Sequence, residues 1–231
     1  MIGAGGISRH HCIALSKIKG VVLDGVYDID RQSAQRLAAE FGTRAVDDLE
    51  AALRGVDMVH LLTPPSVRVA YAALAMKHGK HIFAEKPVAM SLADALTMER
   101  LALETKIKYM VGFTQRFRKG YQLMKDTFKS GALGEPVQFI CVRIGPGPGF
   151  DGNLSASWRT NPDLVCGMSI ESLSHDIDFI TSMLGNAVDV QAAVTGTIAA
   201  LPAFDNNIAS VLRLRDGGFA TIAASWGSAV A

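Results

Sequence analysis

From residue 20 to about 113, short runs of β-branched and aromatic residues alternate with longer runs of helical periodicity. VVLDGVY (21–27) predicts a strand, and RQSAQRLAAEFG (31–42) a helix closed by Gly42. TRAV (43–46) predicts a weak strand, DLEAALRG (48–55) a short helix and VDMVHLL (56–62) a buried strand. SVRVAYAALAMKHG (66–79) reads as a helix ended by Gly79, HIFA (81–84) as a strand, SLADALTMERLALETK (91–106) as a helix and IKYMVGF (107–113) as a strand. Ser91 with Asp94 three residues on has the form of a capping box and fixes the start of that helix. Strands alternating with helices predict a parallel sheet covered on both faces.

After about residue 135 the pattern changes. EPVQFICVRI (135–144), VDVQAAVTG (188–196), IASVLRLR (208–215) and GFATIAAS (218–225) predict longer strands, the last two joined by the hairpin signal Asp216-Gly217-Gly218. One helix, about 168 to 184, is expected between the first two, and YQLMKDTFKSG (121–131) is expected to be a linking helix. GPGPGF (145–150) reads as a surface loop. The fold expected is α/β over residues 1–117, followed by an α+β domain over 118–231 with an open mixed or antiparallel sheet. The glycine-rich turn at residues 3–6 calls for a strand before it, yet only Met1 and Ile2 precede it, and the last strand runs out without a closing element. A fragment truncated at both ends is the expectation.

Half the 231 residues are hydrophobic, a fifth are charged, and the formal net charge is +1. That balance gives no electrostatic case for nucleic acid or an anionic membrane. Cys12, Cys141 and Cys166 are odd in number and lack a CxxC, which argues against a disulfide framework or a cysteine zinc site and for a reducing cytoplasm. No apolar run approaches the length of a membrane span, and the N-terminus lacks the apolar core of a signal peptide. A cytoplasmic protein is expected.

The candidate chemistry lies on the turns. Gly3-Ala4-Gly5-Gly6-Ile7-Ser8 nearly fits GxGxxG, with Ser8 in place of the third glycine; such a turn is either structural or a cradle for pyrophosphate at a helix N-terminus. Asp28 stands 23 residues beyond Gly5, near the spacing of an acid that accepts from adenosine ribose hydroxyls and so favours NAD over NADP, with Arg31 able to soften that preference. Its other reading is a helix-cap region, for which Asp30 is the better candidate. Thr63-Pro64-Pro65 follows a strand and makes either a rigid ligand-side edge or a plain helix start. Glu85-Lys86-Pro87 follows HIFA directly; an isolated pair of this kind is usually a solvated turn. Glu171, His175 and Asp178 are spaced to share one helical face, as a surface cluster or a proton-transfer group. A metal there is rejected for want of a third ligand at sensible spacing. His10, His11, His60, His78 and His81 are given no role. Arg116 is a candidate for cofactor or substrate contact or for a structural pair with Glu85.

GAGGIS, YDID, TPP, GKHIFAEKP, VGFTQRF and GMSIESLSHDIDFI, in that order and spacing, resemble the Gfo/Idh/MocA family of NAD(P)-dependent oxidoreductases, over essentially the whole chain. The resemblance implies a Rossmann domain followed by an open-sheet domain, NAD as cofactor with NADP as the other option, and hydride transfer to or from a secondary hydroxyl of a sugar, polyol or cyclitol. It implies that Lys86 reaches the reacting carbon, that Pro87, often cis in relatives, fixes its direction, and that Glu85 sits by the nicotinamide. It implies that Glu171, where aspartate is commoner, and His175 act on the substrate, with Trp158 and Arg159 closing over cofactor and substrate. Gly3, Gly5, Gly6, Ile7, Asp28, Thr63, Pro64, Glu85, Lys86 and Arg116 form the expected cofactor set. Homo-oligomerisation through the C-terminal sheet follows by the same analogy. The alternatives are a different substrate such as a bilin or unsaturated ring, a non-catalytic dinucleotide-binding sensor, and an inactive truncated product.

Overall fold

A computed structural model describes residues 1–145, 161, 164, 166–197 and 204–227. The chain divides into two compact units, Met1–Gly112 and Phe113–Ala231.

The first unit runs α1 (Gly6–Leu15), β1 (Gly25–Val26), α2 (Arg31–Glu40), β2 (Arg44–Ala45), α3 (Leu49–Arg54), β3 (Met58–Leu61), α4 (Pro65–Lys77), β4 (His81–Ala84), α5 (Leu92–Thr105) and β5 (Tyr109–Val111). All strand pairings are parallel: β1 with β2, β3 with β4 and β4 with β5. Ile2 bridges both Tyr27 and Leu61 in parallel, so one buried residue joins the two ladders into the order β2, β1, Ile2, β3, β4, β5. Four backbone hydrogen bonds fix it: Ile2 N–H to His60, Gly3 N–H to Tyr27, Tyr27 N–H to Met1 and Leu62 N–H to Ile2. The strand expected over 21–27 contracts to two residues because a ladder extends only as far as its partner, and β2 offers two. Leu61, Ile82 and Ala84 from the strands meet Ala72, Ala75, Met76 and Met98 from α4 and α5 in one core; Cys12, Val26, Ala34, Leu37 and Ala38 form a second around α1 and α2. The caps are where the sequence puts them. Asp30 accepts from Gln32 N–H, and Ser91 accepts from Asp94 N–H while donating to its carboxylate.

The second unit opens with a 3-10 turn (Thr114–Phe117) and α6 (Lys119–Lys129), followed by β6 (Gln138–Gly145), α7 (Gly167–Glu171), α8 (Ser174–Leu184), β7 (Ala187–Thr195), β8 (Asn207–Leu214) and β9 (Phe219–Trp226). The sheet is mixed, in the order β6-β9-β8-β7: β6 and β9 are parallel, the other pairs antiparallel. Ile208, Leu212, Ile222, Ala224 and Trp226 bury one face against Phe179, Ile180 and Met183 of α8. The alternate positions Ile140, Val142, Ile144 and Val211 are exposed. The single helix expected over 168–184 is in fact two. Ser172 and Leu173 both donate to the Met168 carbonyl, so the hydrogen-bond ladder loses its register, while Met168 and Leu173 are buried in the same core. Most of the loop GPGPGF, together with Trp158 and Arg159, lies outside the described residues.

Candidate active site

The turn before α1 must be glycine at its first position. Gly3 has φ +103°, and a Cβ there would lie 2.9 Å from the Leu62 carbonyl carbon. Ser8, at the expected third-glycine position, is buried and donates to the Gly3 carbonyl at 2.8 Å, which closes the turn onto the helix. Gly5 caps α1 with no side-chain hydrogen bond, and no acidic residue lies in the first turn. A Cβ at Gly5 or Gly6 would meet nothing within 4 Å. The first N–H groups of a helix have no partner within it, and its dipole is positive there. This end is therefore open, small and cationic in character, which fits a pyrophosphate. Asp28, just past β1, accepts from Ala4 N–H at 2.6 Å on one oxygen and from Asp30 N–H at 2.8 Å on the other. It thus braces the glycine turn, and each oxygen keeps lone-pair capacity for a further donor.

Thr63 and Glu85 stand just past the carboxyl ends of β3 and β4, the edge at which open parallel sheets bind ligands. Pro64 caps α4 and Pro65 is its first residue. Glu85 N–H donates to Leu61, which holds the two strand ends together. The Glu85 carboxylate lies 3.2 Å from His11 Nε2 through Oε1, and its Oε2 accepts from Lys86 N–H at 3.1 Å. A carboxylate only accepts, so His11 carries its proton on Nε2; in the neutral ring its Nδ1 then accepts from His60 Nδ1, 3.4 Å away. His60 also stacks on Phe83 at 5.1 Å between ring centroids. Burial, then the His11 charge, hold the His60 imidazole down at about 4. Burial pushes the Glu85 carboxyl up, but the His11 hydrogen bond and charge, with Lys86, outweigh it and leave it below the usual carboxylate range. The Lys86–Pro87 peptide is cis. Buried Arg68 of α4 donates to the carbonyls of Thr63, Glu85 and Pro87.

In the second unit, Glu171 is buried at the end of α7 and His175 is half-buried in the first turn of α8. Glu171, His175 and Asp178 therefore do not share a face of one helix, because the break at Ser172–Leu173 separates the first from the other two. His175 meets Phe113 edge to face, with ring centroids 6.0 Å apart. Arg116 holds Asp178 through two hydrogen bonds of 2.7 and 2.6 Å. The structural partner expected for Arg116 was Glu85; the partner found is Asp178, and Glu85 is held by His11 instead. Among the described residues, no three His, Cys, Asp or Glu side chains group as a metal site, and no helix is long and apolar enough to cross a membrane.

His11, His60 and Arg68 were passed over in the sequence. The histidines' contacts with each other and with Glu85 span 49 and 74 positions, and Arg68 reaches Glu85 and Pro87 17 and 19 positions away, so no local pattern marks them. The one usable signal was a buried-strand histidine, His60, in an otherwise apolar run.

Residues 1–113 match the family model described as an oxidoreductase family with an NAD-binding Rossmann fold, and residues 121–231 match the GFO/IDH/MocA C-terminal domain. Glucose-6-phosphate 3-dehydrogenase of Bacillus subtilis is 32% identical over 58% of this chain and 38% of its own length. UDP-N-acetylglucosamine 3-dehydrogenase of Acidithiobacillus ferrooxidans is 28% identical over 97% of this chain and 66% of its own. The chain thus spans between about two fifths and two thirds of these relatives. The WlbA dehydrogenase of Bordetella pertussis, solved with NADH and UDP-GlcNAcA, superposes with a TM-score of 0.90 at 23% identity, covering 99% of this chain and 66% of that one. At that identity the likeness is one of fold.

Proposed function

Because this chain belongs to the Gfo/Idh/MocA oxidoreductase family, we propose that it is an NAD(P)-dependent dehydrogenase acting on a secondary hydroxyl of a sugar, polyol or cyclitol. The observation that carries this reading is the convergence, at the carboxyl edge of one parallel sheet, of an open helix N-terminus, the braced Asp28 and the pinned Glu85-Lys86 turn. When bound, the nicotinamide supplies the hydride chemistry. The chain's own residues bind, orient and move the proton. The N–H groups at Gly5, Gly6 and Ile7 hold the pyrophosphate. Asp28 accepts from the adenosine ribose, which disfavours a 2′-phosphate and so selects NAD. Thr63 and Pro64 border the dinucleotide, and Glu85 lies at its nicotinamide end. The Lys86 ammonium stabilises the alkoxide that develops during oxidation. His175 takes the hydroxyl proton and Glu171 orients the histidine or a substrate hydroxyl. Trp158 and Arg159 contact the substrate. Arg116 serves chiefly to anchor α8 through Asp178. The apolar outer face of the β6–β9 sheet joins copies of the chain.

The test is Lys86→Met assayed with NAD on myo-inositol and glucose 6-phosphate. Turnover is expected to disappear while NADH affinity stays within about twofold, since only a transition-state interaction is removed. Unchanged turnover overturns the role of Lys86.

A further inference from the structure

Arg68 sits in the first turns of α4 and is only 3% exposed. A guanidinium is five donors in a rigid fork and accepts nothing. Here Nη1 donates to the Glu85 carbonyl at 2.6 Å and to the Pro87 carbonyl, and Nη2 donates to the Thr63 carbonyl at 2.5 Å. The carbonyls immediately before and after Lys86 are therefore held by one nitrogen, while the N–H of Lys86 itself is held by Glu85 Oε2. The third carbonyl belongs to the turn that follows β3, so the same side chain also locks two neighbouring strand ends. Burying a cation is expensive, and packing α4 on the sheet does not call for one. Ala72, Ala75 and Met76 of the same helix do that work with apolar surface.

We propose that Arg68 is a positioning residue for Lys86, fixing the main chain on both sides of it against the Thr63 turn so that the ammonium rises from a rigid base. The inference rests on the reading of Lys86 as the group that stabilises the reacting oxygen. Geometry of this kind acts on rate more than on binding, because misplacement by about 1 Å costs on the order of 100-fold in turnover.

The experiment compares Arg68→Met, which keeps the length and loses the donors, Arg68→Lys, which keeps the charge and loses the fork, and Arg68→Ala, which leaves room for added guanidinium. Each full chain is assayed for NADH affinity, for kcat and KM on myo-inositol and glucose 6-phosphate, and for melting temperature. The expected result is a kcat lower by about 100-fold in Arg68→Met and Arg68→Lys, with NADH affinity and KM within about twofold. Millimolar guanidinium should return about tenfold of the lost rate to Arg68→Ala. A folded Arg68→Met with wild-type kcat overturns the proposal. So does a loss that follows melting temperature and NADH affinity together and is not rescued, since that is a structural effect alone. If the unsubstituted chain binds NADH but oxidises neither compound, the substrate reading fails separately. The clamp is then decided by amide exchange over residues 83–88: faster exchange there in Arg68→Met, with the rest of the first unit unchanged, supports it, and unchanged exchange overturns it.

Discussion

Glu85 joins two requirements in one carboxylate. Its Oε2 holds the N–H of Lys86, and its Oε1 faces a histidine that is itself backed by a second, half-buried histidine. The arrangement is sensitive to acid. An unfolded histidine takes up its proton near pH 6.5, whereas His60 in the folded chain resists until about 4 because of burial and the neighbouring His11. Between those values the unfolded chain binds the extra proton, so stability falls as pH drops through that window. Glu85, held below its ordinary range, adds loss in the same direction at lower pH. His60→Phe is expected to flatten the fall in melting temperature between pH 6.5 and 4; an unchanged slope, followed by thermal melts across that range, contradicts the assignment. Of these residues only Glu85 was legible in the sequence, by its place after a buried strand. Ser8 and Asp28 stand out in the sequence by their place in a glycine turn and at a strand end, but the hydrogen bond from Ala4 N–H to Asp28, 24 positions away, does not. The histidines became partners only through folding, at separations of 49 and 74 residues.

At the level of elements, caps and glycines carried reliable information because each acts within a few residues: Asp30 and Ser91 start helices where their spacing predicts. The break between α7 and α8 was illegible for the opposite reason. Its helical pattern is unbroken, and the interruption comes from the tertiary burial of Met168 and Leu173. Helix α8 is tied to its surroundings by two bidentate arginine pairs of different character. Arg116 is 46% exposed and Asp178 10%, whereas Asp176 is only 6% exposed beneath Arg143. Removing one partner of a buried pair leaves a charge without compensation, whereas a pair whose arginine is half-exposed is screened by water and contributes less. Arg143→Met is therefore expected to destabilise the chain by about 3 kcal/mol and Arg116→Met by about 1 kcal/mol or less, measured by urea unfolding. Equal losses contradict this ranking.

Across the whole molecule, the change from strand–helix alternation to long strands reads as a covered parallel sheet followed by an antiparallel or mixed one, and the structure has both, the second mixed, since hydrophobic period is a property of many residues at once. The connections within that sheet, with β6 beside β9 and not beside its neighbour in sequence, are a matter of long-range pairing that period does not encode. The sheet's outer face carries exposed Ile140, Val142, Ile144 and Val211. Association through that face predicts that Val142→Lys shifts the chain to a smaller species in light scattering after size exclusion; an unchanged mass contradicts it. The dehydrogenase reading depends first on the dinucleotide. Fluorescence titration of NADH and NADPH into the chain is its most direct test. Saturable NADH binding, tighter than NADPH, is the result predicted by the open α1 terminus and the Asp28 carboxylate; no saturable binding of either nucleotide contradicts it.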